Sequence, residues 1–215
     1  MPDKPCQPSS STLPATLSFS STPNSDATIT KNSAAECNTQ LIQDATPKLD
    51  AQDALILETC CGSARLLEAF RTLGLNVLGI DHAYNRHGPK VVTVNSDLSD
   101  TSQHPLAWAW LQHSKLRFVA MEPPCGTSSR AREKPGGPRP LRSDAYPQGI
   151  PHLSESEQRR VDKANTIYAF MLDVSYFCLE RGIKFFIENP LRSLMWSLPI
   201  YKELFNHDEV VDIFY

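Results

Sequence analysis

Residues 54–81 read ALILETCCGSARLLEAFRTLGLNVLGID, and the fold is decided there. Ala54 to Leu57 is an apolar run that ends in the acid Glu58. Such a run suits a strand buried on both faces. Cys60-Cys61-Gly62-Ser63-Ala64 follows, small throughout, as a tight turn requires. Leu66, Leu67, Ala69, Phe70 and Leu73 then share one helical face, and Gly74 supplies the stop. Asn76 to Asp81 is a second apolar run ending in an acid.

The same alternation continues outward. Val91 to Val94 reads as a third strand, with Asp97 just beyond it. Pro105 to His113 reads as a helix with Trp108, Trp110 and Leu111 as its apolar contacts. Leu116 to Met121 is a fourth strand. Ser154 and Glu157 form the pattern of a capping box, opening a long helix that runs to Arg181 and stops at Gly182. Lys184 to Glu188 is a fifth strand, Tyr201 to Asn206 a short helix and Glu209 to Tyr215 a sixth strand. Strands alternating with helices predict an α/β fold with a mainly parallel sheet. Such sheets bind ligands at the carboxyl ends of their strands.

Length and composition bound the rest. The chain has 215 residues, one domain's worth plus a tail, and a formal net charge of −3. That balance weakens a purely electrostatic DNA binder. No apolar run is long enough to span a membrane, and the start lacks the pattern of a signal peptide. The six cysteines contain no CxxC pair, so neither a zinc site nor a disulfide framework is expected. The expectation is a reduced, intracellular protein with no metal and no membrane partner. Residues 1–50 hold eight Ser, seven Thr and six Pro with few large apolar residues, and read as a disordered tail, with a short helix allowed near Glu36–Gln43.

The acids at strand ends form a first constellation. Gly62 permits close approach of a ligand to the backbone, and Asp81 follows 19 residues later, where an acid can accept from ribose hydroxyls. Asp97 ends the third strand within reach of an adenine amino group. No G-x-G-x-x-G is present, so an adenosine ligand without a diphosphate fits better than a dinucleotide.

The second constellation follows the fourth strand directly: Glu122-Pro123-Pro124-Cys125-Gly126-Thr127-Ser128-Ser129-Arg130. The prolines stiffen the backbone around Cys125, and Gly126 leaves room for a substrate. Seven prolines lie between Glu122 and Pro151, a density that marks a functional loop. Arg130, Arg132, Lys134, Arg139 and Arg142 make its surroundings electropositive, a setting that favours a thiolate and grips phosphates. Glu188-Asn189-Pro190 ends the fifth strand; burial beside Phe185, Phe186 and Ile187 would raise the Glu188 pKa toward general-acid use, with Asn189 to orient it.

These pieces together resemble the C5-cytosine DNA methyltransferase family. Glu58-Thr-Cys-Cys-Gly-Ser-Ala64, Asp81, Asp97, Pro123-Pro-Cys125 and Glu188-Asn189 stand in that family's order, across about residues 54–190. The resemblance implies a Rossmann-like methyltransferase fold with helices on both sheet faces, spanning residues 51–215. It implies S-adenosylmethionine as cofactor, held by Glu58, Cys61, Gly62, Ser63, Ala64, Asp81, His82, Asp97 and Leu98. It implies Cys125 as the nucleophile on cytosine C6, Glu188 at N3 with Asn189 beside it, and DNA as partner. The base must leave the duplex, because C6 is out of reach in the stack. A nuclear location follows if the source is a eukaryote.

The chain departs from the family in three places: Ala64 replaces a glycine, Pro190 follows Glu-Asn, and no target-recognition region is recognisable after the fifth strand. Two further readings therefore stand beside DNA methylation. One is a truncated module that binds cofactor or nucleic acid without turnover, the other a cytosine methyltransferase acting on RNA.

Overall fold

The computed structural model describes residues 54–211 and 213. The expected tail, the helix near Glu36–Gln43 and the end of the sixth strand lie outside them. Five parallel strands run in the order β3-β2-β1-β4-β5. They are β1 Leu55–Thr59, β2 Asn76–Asp81, β3 Thr93–Asn95, β4 Leu116–Met121 and β5 Lys184–Ile187. The helices are α1 Arg65–Thr72, α2 His104–Leu111, α3 Glu155–Arg181 and α4 Pro199–Phe205. The α/β class is as expected, and the order, with its reversal between β1 and β4, is compatible with a Rossmann-like fold.

Strand alternation divides the core into two layers. Leu55, Leu57, Leu78, Ile80, Val119 and Met121 face α2 and α3, meeting Ala107, Trp110, Phe170, Met171 and Val174. Ile56 faces the other way with Val91, Cys61, Ala64 and Leu67, and α1 covers that side. Each fully buried Leu or Ile contributes about 2 kcal/mol. Beyond the sheet, Ala164 and Tyr168 of α3 pack on Leu198, Tyr201 and Leu204 around α4.

The capping box of α3 forms as written in its sequence: the Ser154 side chain accepts from Glu157 N–H while Glu157 reaches back to the Ser154 backbone. Gly182 ends the helix in the left-handed region, at φ 64°. Gly79 has to be glycine, because a Cβ there would meet Cys61 Sγ at 2.7 Å and Thr93 Oγ1 at 2.9 Å.

Two expectations need correction. The third strand is Thr93–Asn95 rather than Val91–Val94. Val91 turns under α1, Val92 is 55% exposed, and pairing with β2 begins at Thr93. The sixth strand does not form over its described residues 209–211 and 213. Val211 and Ile213 are 75% and 78% exposed, and β5 stays an edge of the sheet. An alternating apolar run without a partner strand has no ladder to join.

Candidate active site

The parallel ladder extends one residue past β4 and β5. Glu122 N–H donates to Thr59 O at 3.1 Å, and Glu188 N–H donates to Met121 O at 2.8 Å. Glu122 is thereby set between Glu58 of β1 and Glu188. Glu58 is buried and its Oε2 has no hydrogen-bond partner. Burial, then the charge of Glu122, pushes the Glu58 pKa up to about 8. Burial and the charge of Glu188 push Glu122 upward as well. The Glu122 carboxyl beside Glu58 thus favours the protonated form of Glu58. The sequence reading assigns Glu122 no role; its place directly before Pro123 at a strand end is the signal that finds it.

Cys125 sits half-buried in a turn whose carbonyls are all taken. Asn189 Nδ2 donates to Pro123 O at 2.8 Å, and Tyr168 Oη donates to Pro124 O at 2.7 Å. Cys125 O accepts from Ser128 N–H and Ser129 N–H, at 3.0 and 2.8 Å. Gly126 O accepts from Arg132 Nη1 at 3.2 Å. The structure therefore brings Asn189 to the turn that carries Cys125, through Pro123, from far along the sequence. Burial pushes the other described thiols upward, Cys61 and Cys178 to about 12 and Cys60 further, so they are poor nucleophiles.

The glycine turn is closed by its own acid. Asp81 Oδ2 accepts from Gly62 N–H at 2.8 Å and from Asn85 Nδ2 at 3.0 Å. Asp81 Oδ1 takes the His82 N–H at 2.7 Å, with the His82 ring at 3.8 Å. Asn85 also donates to Gly62 O at 2.6 Å, a clamp the sequence reading misses. Ser63 is half-buried, and its carbonyl accepts from Lys90 N–H. Asp97 Oδ1 accepts from the Ser99 N–H and hydroxyl. The side chains of Cys61, Ala64 and Leu98 are core residues rather than ligand contacts, at 3%, 0% and 3% exposure. Only their backbone remains available to a cofactor.

The basic loop is a further correction. Arg142 is buried, and its five donors go to Thr127 Oγ1 twice, Pro147 O, Asn165 Oδ1 and Val161 O. It cannot grip a phosphate and instead holds the loop to α3. Arg132 bonds Arg139 O and Gly126 O. Arg130 pairs with Glu133 and Asp144, and Arg139 pairs with Glu157. Lys134 is exposed. Most of the loop's charge thus orders the loop itself. An Arg facing solvent and an Arg facing carbonyls are identical in sequence.

Between this loop and the residues after β5 lies an open groove of about 530 Å³, lined by Arg130, Leu191, Arg192 and Trp196 among others. Among the described residues no helix is long and apolar enough to cross a membrane, and no group of three or more His, Cys, Asp or Glu is placed to hold a metal. No protein-family model, curated protein or solved structure matches the chain.

Proposed function

We propose that this chain is a cytosine-5 methyltransferase domain acting on DNA with S-adenosylmethionine. The observation that carries the reading is the 2.8 Å bond from Asn189 Nδ2 to Pro123 O. It joins the Glu-Asn strand end to the Pro-Pro-Cys turn, which supports reading Cys125 and Glu188 as members of one site at the carboxyl edge of the sheet.

The residues present fit the cofactor. Nothing stands within 4 Å of the Cβ position of Gly62 or Gly126, which leaves open space at both turns. Glu58 Oε2 is buried without a hydrogen-bond partner, and a cationic amine placed beside it would displace the carboxyl's proton and take that oxygen as its acceptor. Asp81 Oδ1 and Asp97 are the acceptors for the adenosine end. When bound, S-adenosylmethionine supplies an electrophilic methyl group.

The chain's own residues do the remainder. Cys125 Sγ bonds to C6 of an extruded cytosine, and its thiol proton passes to water. Glu188 holds a proton at N3, so the C5=C6 electron pair becomes available at C5 for the incoming methyl. Glu122 is the adjacent proton store for Glu188. Loss of the C5 proton to water then restores the double bond and expels Cys125 Sγ as thiolate, and the N3 proton returns to Glu188, leaving neutral 5-methylcytosine. Phosphate contact falls to Lys134 and the exposed Arg192 rather than to the whole basic loop.

The test is tritium transfer from labelled S-adenosylmethionine to cytosine-rich DNA and, side by side, to RNA of the same sequence. The expected result is transfer to DNA that Cys125→Ser lowers by about 10³-fold or more. Equal rates for wild type and Cys125→Ser contradict the reading, and transfer confined to RNA moves it to the other polymer.

A further inference from the structure

Beneath Cys125 runs a file of hydrogen bonds with a single direction. Tyr168 has one hydroxyl proton, and it goes to Pro124 O at 2.7 Å. Ser128 Oγ lies 3.0 Å from Tyr168 Oη and 3.4 Å from Cys125 O, and its single proton goes to the nearer acceptor, Tyr168 Oη. Ser128 Oγ in turn accepts from Ser193 Oγ at 2.8 Å, and Ser193 Oγ accepts from Met195 N–H at 3.2 Å. The shorter bonds all point toward the carbonyl of Pro124, with Cys125 O a longer, second acceptor for Ser128 in the same turn. Tyr168, Ser128 and Ser193 are all buried, at 0%, 0% and 3% exposure, so water does not compete. The Arg142 guanidinium lies over the Tyr168 ring at 5.3 Å, fixing the phenol in place.

We propose that Tyr168, Ser128 and Ser193 are positioning residues for Cys125, acting through the Pro124–Cys125 peptide. The described peptides are all trans, so Pro124 O and Cys125 N–H point in opposite directions. Holding the carbonyl against α3 turns the Cys125 N–H away from that helix and fixes the plane of the peptide that carries Cys125. Hydrogen bonds in one direction polarise each other, by roughly 10–30% per bond. The file therefore draws electron density onto Pro124 O and makes the Cys125 N–H, at the other end of the same peptide, a stronger donor. The first hydroxyl belongs to the segment after Glu188-Asn189, and the last bond ends at the residue before Cys125. One network thus sets both halves of the site.

The inference takes Cys125 as the reacting group of the proposed function, but its test needs neither cofactor nor DNA. Iodoacetamide alkylation of Cys125 is followed on the full chain by peptide mass spectrometry, which separates it from the other thiols. Tyr168→Phe removes the last link and is expected to slow Cys125 alkylation about tenfold. Ser193→Ala removes an earlier link and is expected to slow it about threefold. The double variant is expected to be no slower than Tyr168→Phe, because the file is already cut. Ser175→Ala is the control: its buried hydroxyl bonds Met171 O within the same helix and has no path to Pro124. It is expected to leave the rate unchanged.

A Tyr168→Phe rate within twofold of wild type overturns the proposal. So does a double variant slowed by the product of the single effects, or a control slowed as much as Tyr168→Phe. Should Tyr168→Phe not fold, Ser193→Ala decides alone: slower alkylation with an unchanged circular dichroism spectrum supports the file, and an unchanged rate overturns it. Slowed alkylation without methyl transfer by the wild type would leave this inference standing while the proposed function fell.

Discussion

Arg142→Ala is expected to cost about 4 kcal/mol of folding stability, the larger of the two stability effects foreseen for this chain. The guanidinium is 1% exposed, and all five of its donors are used inside the protein. Truncation leaves Thr127 Oγ1, Asn165 Oδ1 and two carbonyls without that donor, and opens a cavity under the loop. It also frees the Tyr168 ring that the guanidinium covers. Arg142→Lys is expected to recover less than half of the loss, since an ammonium has three donors and no planar fork. Urea unfolding followed by tryptophan fluorescence gives both values. A loss under about 1 kcal/mol for Arg142→Ala would mean the loop is held by other contacts.

Glu58→Gln is expected to stabilise the protein, and only at higher pH. Glu58 titrates at about 8 when folded, against an ordinary value of 4.5. The folded state therefore keeps a proton that the unfolded chain releases. Its favourable contribution is complete below pH 4.5 and is lost as pH rises to 8. The loss across that window is on the order of 3 kcal/mol. Glutamine does not titrate and keeps the shape. Wild type and variant should match near pH 4.5 and diverge until pH 8, with the variant the more stable. Parallel profiles of unfolding free energy against pH would show that Glu58 ionises freely in the fold.

The sheet and its helices were largely legible because local pattern determines them. Asn76–Asp81 and Leu116–Met121 form strands with the bounds their apolar runs set, and Ser154 with Glu157 starts α3 where the capping box stands. The apolar run at 209–211 and 213 shows the limit of pattern alone, since a strand also needs a neighbour. Within the site, Cys125, Glu188 and Asn189 were marked by their places at strand ends. Their mutual geometry was not, because it depends on β4 pairing with β5. Glu122 gains meaning only from Glu58 and Glu188 on the flanking strands. Arg142 reads as a surface cation until Asn165 and Val161 arrive from α3. Ser128 and Ser193 are 65 positions apart, and nothing local in either marks the bond between them.

The most direct measurement is a covalent trap. A DNA duplex carrying 5-fluorodeoxycytidine is incubated with the full chain and S-adenosylmethionine, then run on a denaturing gel. Fluorine at C5 blocks the final elimination, so a reacting Cys125 stays bonded to C6. The account predicts a denaturant-resistant band at the summed mass of chain and DNA for wild type, and none for Cys125→Ser. Absence of that band from wild-type protein that binds S-adenosylmethionine by calorimetry would contradict it.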